Sequence, residues 1–61
     1  MTDEEIQESI NTMRTRAARV GPQHAFWEII FEAEAMLKGE QTLLDRSEIE
    51  MAIFDALKGN H

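Results

Sequence analysis

Residues 22–39 read PQHAFWEIIFEAEAMLKG, and the fold turns on how this stretch is understood. Phe26, Ile29, Ile30, Ala33, Met36 and Leu37 recur at the three- and four-residue intervals that place side chains on one face of a helix. Pro22 cannot extend a helix arriving from its N-terminal side, and Gly39 offers the left-handed conformation that stops one. The spacing therefore predicts a helix over 23–38. At roughly 100° per residue, Trp27 and Phe31 fall off the main stripe and form a second apolar patch with Ala35, with His24 beside it. This helix carries more apolar surface than one neighbour can cover.

Outward from this stretch, both flanks also read as helices. Thr2 with Glu5 matches a capping box, in which the threonine oxygen accepts from an early backbone N–H and the glutamate reaches back to the cap residue. Ile6, Ile10, Met13, Ala17 and Val20 then form a narrow stripe, and Gly21-Pro22 ends it, giving a helix over 3–20. On the C-terminal side, Ile49, Ala52, Ile53, Ala56 and Leu57 predict a helix over 46–58 with Gly59 as its stop. Its start has two candidates, because Asp45 with Glu48 and Ser47 with Glu50 both match a cap followed three residues later by glutamate. Leu43 and Leu44 lie in the intervening loop, where they would plug the end of the core. No segment alternates long enough to be a strand, so the fold class is all-α, a single three-helix domain over 1–61. Glu28, Ile29, Leu37, Lys38 and Gly39 recur twenty residues on as Glu48, Ile49, Leu57, Lys58 and Gly59, which is shared helix grammar rather than a repeat array.

The 61 residues limit what such a unit can do alone. Chains of this size bury only about 60% of the surface they expose when unfolded, and a single core supplies only about 3–5 kcal/mol. Cysteine is absent, which removes disulfides and thiolate sites as support. Contact with a partner, or an unusually well packed helical core, is the remaining route to stability. The third helix repeats the construction of the second, since Met51 and Phe54 project away from Ile49, Ile53 and Ala56. Trp27, Phe31, Met51 and Phe54 are accordingly the expected interface, and a symmetric homodimeric helical bundle is the simplest assembly that covers them. If Trp27 anchors that interface, Trp27→Ala removes ~2 kcal/mol or more of association. The competing reading wraps the second helix between its neighbours and buries both faces internally.

Charge narrows the remaining possibilities. Twelve acids against six bases give a net charge of -6, which opposes binding to phosphate backbones and anionic membranes. No apolar run reaches the roughly 18 residues of a membrane span, and no charged start leads into a signal-peptide core. A cytoplasmic location is expected. Arg14, Arg16 and Arg19 form the one basic cluster, near a helix C-terminus where cations offset the dipole. They are also possible partner-docking residues, and the alternative reading is a nucleic-acid-associated regulator that uses them. A helix-turn-helix fits poorly, because the third helix offers Glu48, Glu50 and Asp55 with Lys58 only at its end. An acidic DNA-mimic inhibitor is a further alternative.

Catalysis has no foothold in the sequence. There is no glycine-rich phosphate loop and no Ser/His/Asp arrangement, and Ser9 and Ser47 suit helix-surface and capping roles. His24, Glu28 and Glu32 recur every four residues, but specific metal sites draw on more than one element, and the other histidine is His61. The expectation is a non-enzyme with no catalytic residue, no metal site and no cofactor.

In its acidic start Met1-Thr2-Asp3-Glu4-Glu5 and its compact His24-Ala25-Phe26-Trp27-Glu28-Ile29-Ile30-Phe31 segment, the chain resembles the small acidic helical accessory proteins of bacteriophage early regions, including those of lambdoid phages. That resemblance implies a regulatory protein of the host cytoplasm, binding a host or phage protein and influencing the choice between lysis and lysogeny. It carries over no functional residue.

Overall fold

Apolar stripes on three short helices can be buried together only if the chain reverses twice. A computed structural model of the chain describes residues 1–58 and shows this arrangement. Helix α1 spans Asp3–Val20, α2 spans Phe26–Leu37 and α3 spans Arg46–Lys58, and no strand occurs among the described residues. Gly59 and His61 lie outside the described residues. Every pair of helices touches, so each lies in the groove between the other two.

The first helix begins as its sequence dictates. Thr2 Oγ1 accepts from the Glu5 N–H at 3.1 Å and the Glu5 carboxylate accepts from the Thr2 N–H at 2.8 Å, completing the capping box. Its stripe supplies Ile6, Ile10, Met13 and Ala17 to the core, all fully buried. Val20 departs from the expected stripe and is 69% exposed. The chain leaves the helix at Gly21 immediately after it, so coverage by the neighbours ends with Ala17, one turn earlier. Ser9, expected on the helix surface, is buried among the core residues of α1.

The second helix begins three residues later than the spacing predicts. Gly21 adopts φ 128°, a conformation in which only glycine is unstrained, and its carbonyl accepts the His24 N–H at 3.3 Å. His24 Nδ1 then accepts the Phe26 N–H at 3.1 Å, so residues 23–25 are spent on a hydrogen-bonded turn before α2 starts. At the other end Gly39 takes φ 77°; its N–H bonds to the Met36 carbonyl and the Glu40 N–H to the Ala35 carbonyl. These paired bonds are a Schellman stop. Phe26, Ile30 and Ala33 are buried, while Ile29, Met36 and Leu37 pack against the core from its margin.

The start of α3 resolves the ambiguity between its two caps. Asp45 Oδ1 accepts the Glu48 N–H at 2.8 Å, and the Glu48 carboxylate accepts the Asp45 N–H at 3.1 Å. Asp45 therefore caps the helix, and Ser47 lies within its first turn. Arg46 reaches back to the start of α1, pairing with Asp3 at 2.9 Å and donating to the Met1 carbonyl at 2.9 Å, while also pairing with Glu50 at 3.1 Å. Its hydrogen bond to Asp3, followed by that to Glu50, pushes the guanidinium further above its ordinary range. Together with the ion pair between Arg14 and Glu34, these contacts fix an up-down-up order.

Two outcomes test this account. Ile30 is fully buried where the three helices meet, so Ile30→Ala should cost about 2–5 kcal/mol. A loss of that size matches the whole stability of a domain this small, and far-UV circular dichroism at 25 °C should show a largely unfolded chain. The Glu5 carboxyl is held below its ordinary value of 4.5, first by the bond from the Thr2 backbone N–H and then by the Thr2 hydroxyl contact. The unfolded chain then binds the proton more tightly than the folded one, so this contribution is complete above about pH 4.5 and fades as pH falls through the folded value. Glu5→Gln should flatten that acid limb in a pH series of thermal melts.

Candidate interaction surface

The ten core residues close the bundle without help from most of the second apolar faces. Phe31 is 63% exposed, Met51 66% and Phe54 65%. Trp27 behaves differently. Its ring is half-buried against the core, and its indole N–H donates to the Gly21 carbonyl at 3.0 Å. A buried indole needs such a partner, and this one lies at the bend between α1 and α2. Trp27 is thus part of the fold as well as a neighbour of Phe31, whose ring centroid is 6.2 Å away.

The four expected interface residues do not share one patch. Arg14 of α1 pairs with Glu34 of α2, marking the flank of α2 that faces α1. Trp27 lies on that same flank by helical phase, with Phe31 one turn further along and turned outward. On α3, the contacts of Arg46 and Glu50 with Asp3 and the Met1 amino group mark the flank facing α1. Phe54 follows Glu50 by one turn on that flank, and Met51 lies roughly 60° further out. Phe31 therefore borders the seam between α1 and α2, and Phe54 borders the seam between α1 and α3, with α1 between them. The Lys58 ammonium lies 5.9 Å from the Phe54 ring centroid, at the outer range of a cation–π contact.

The arginine cluster also divides. Residues two apart project to opposite sides of a helix, and Arg14 alone is tied to Glu34. Arg16 and Arg19 are exposed and form no ion pair among the described residues. The three side chains do not make one docking face.

The loop contains the residue that sequence reasoning misplaced. Leu43, expected to plug the core, is 94% exposed, whereas Leu44 beside it packs against the core. The reason is local. One oxygen of the Glu32 carboxylate accepts from both the Leu43 and the Leu44 N–H, at 2.8 and 2.9 Å, and the Thr42 hydroxyl donates to the Leu44 carbonyl. At that bend both N–H groups turn toward Glu32, and of the two side chains only Leu44 packs inward. A shallow hollow results, lined by Glu28, Ile29, Phe31, Glu32, Leu43 and Leu44. A neighbouring hollow is lined by Ala18, Gly21, Pro22, Trp27 and Phe31, so Phe31 forms the ridge between the two.

His24 Nδ1 accepts from the Phe26 N–H, its ring packs edge-on against Phe26 with centroids 4.3 Å apart, and one oxygen of Glu32 accepts from the loop. Among the described residues no group of three or more His, Asp or Glu side chains is arranged to hold a metal ion. No helix among them is long and apolar enough to cross a membrane.

No family model matches the chain, and no curated protein or solved structure is significantly similar to it.

The division of roles between the aromatics has a direct test. Trp27→Phe keeps most of the apolar contact but loses the bond to Gly21, which should destabilise the chain by about 1 kcal/mol. Phe31→Ser should leave the unfolding free energy from urea titration within about 0.5 kcal/mol of its starting value, as for a surface position.

Proposed function

We propose that this chain is a non-catalytic protein-interaction module that self-associates as a homodimer through the outer face of α3 and offers a second apolar site on α2 to a partner protein. One observation carries this reading. The bundle buries a complete core while leaving Phe31, Leu43, Met51 and Phe54 each more than half exposed. Side chains of this size are a solubility liability in a small protein unless something covers them, and aromatic residues and methionine are favoured where that cover is another protein.

Met51 and Phe54 suit a two-fold contact, because an axis near the middle of α3 brings each patch onto its own copy. Phe31 lies across α1 from them and is free for a different partner. The resemblance to phage accessory proteins supports assigning that partner to the host or the phage, the location to the host cytoplasm and the process to the choice between lysis and lysogeny.

A nucleic-acid-associated role draws on Arg16 and Arg19, which are exposed and without an ion pair among the described residues. The engagement of Arg14 by Glu34 and the net charge of -6 weigh against it. The acidic surface is equally that of a DNA mimic, and competition between DNA and the chain for a captured protein would identify that mode.

Sedimentation velocity tests the central reading. The native chain should sediment as a dimer at about 100 µM, and Phe54→Glu should shift it to monomer with a dissociation constant raised at least ~30-fold, the equivalent of a ~2 kcal/mol hot spot. Circular dichroism should show unchanged helicity in both. A native chain that remains monomeric at this concentration would sink the homodimer.

A further inference from the structure

The exposed side of α2 carries two kinds of chemistry next to each other. Ile29, Phe31, Leu43 and Leu44 give the hollow beside the loop an apolar lining, and Glu28 and Glu32 give it an acidic edge. The loop itself is a constructed feature rather than a loose connection. It leaves α2 through the Schellman stop at Gly39, is fastened back to α2 by the double bond of Glu32 to Leu43 and Leu44, and enters α3 through the Asp45 cap. All of that fixed backbone holds Leu43 away from the protein.

The acidic edge has no cation of its own. Glu28 is exposed and forms no ion pair among the described residues. Only one oxygen of Glu32 is used by the loop. Of the six basic side chains, Arg14 is paired with Glu34, Arg46 with Asp3 and Glu50, Lys58 lies by Phe54, and Arg19 and Lys38 are exposed with no ion pair among the described residues. Arg16 is two residues from Arg14 on α1 and so projects away from α2.

We infer that this hollow binds a basic amphipathic segment of a partner protein. An apolar side chain of the segment seats between Phe31 and Leu43, and its lysines or arginines lie against Glu28 and the free oxygen of Glu32. The inference rests on the reading of the chain as a protein-binding module and names the chemistry of its partner. Charge decides between this occupant and a second copy. A two-fold contact centred here would bring the unpaired Glu28 and Glu32 against their own counterparts, whereas a basic segment neutralises them. An apolar face on one helix of the partner, read at three- and four-residue spacing, fits a hollow of this kind.

Trp27 is the sole tryptophan and its ring centroid is 6.2 Å from that of Phe31, so its emission reports on this surface. The experiment titrates the full chain with a tryptophan-free amphipathic peptide of lysine and leucine, and separately with its glutamate-leucine counterpart. The basic peptide should give a saturable change in Trp27 emission and the acidic one none. Leu43→Asp should weaken binding at least tenfold and Glu28→Gln severalfold, with less salt dependence remaining in Glu28→Gln than in the native chain. Leu43 is 94% exposed, so its replacement leaves the core intact, and circular dichroism checks this.

Equal binding of the two peptides, or undiminished binding by Leu43→Asp, would overturn the inference. So would dissociation of the homodimer by Leu43→Asp, which would make a second copy the occupant. Sedimentation of Phe54→Glu reads self-association independently, so failure at this hollow is distinguishable from failure of the module as a whole.

Discussion

The hydrogen bond from the Trp27 indole to the Gly21 carbonyl sets the corner on which the bundle is built. Gly21 occupies a backbone region that a side chain would strain, and this directs its carbonyl back toward the first turn of α2. With the indole and the His24 N–H both bound there, α2 is returned along α1 instead of splaying from it. Ala17 and Ala33, both fully buried, keep the two helices close, and α3 completes the groove with Ile49, Ile53 and Ala56. Arg46 then joins the start of α3 to the start of α1, so the two ends of the fold are secured by different means, one by a neutral bond at a bend and the other by exposed ion pairs.

Much of this was legible in the sequence because it is local. The apolar stripes, the Thr2–Glu5 box and the Gly39 stop depend on residues within one or two turns of each other, and apart from Val20 at the end of the first stripe they form as read. The late start of α2 was not legible, since it depends on the His24 imidazole competing for the Phe26 N–H. Nor was the fate of Leu43 and Leu44. Two adjacent leucines carry the same hydrophobic signal, and what separates them is a carboxylate eleven residues away that binds both of their N–H groups. Trp27 was placed correctly off the main stripe, yet its polar edge gives it a role in the bend that periodicity cannot express. The arginines were close in sequence but diverge around α1, and one partner, Glu34, lies twenty residues away.

The candidate surface was therefore visible as residue types and not as a place. Phase identified Phe31, Met51 and Phe54 as outward-facing, and all three are exposed. Their distribution about α1 depends on which flank of each helix the neighbours occupy, and long-range ion pairs reveal that. The one surface expected from helical phase becomes two separate patches, one on each side of α1.

The fastening of the loop has a kinetic meaning. Because Glu32, Thr42 and the Schellman stop already hold the backbone around Leu43, a protein arriving there does not have to wait for this side of the contact to order itself. For the proposed basic segment, the entropy lost on association would come mainly from the incoming chain. Encounter would be governed by diffusion and by the attraction of opposite charges, and the fit of one side chain beside Leu43 would govern how long the complex lasted. Partners with similar charge would arrive at similar rates and be told apart by residence time.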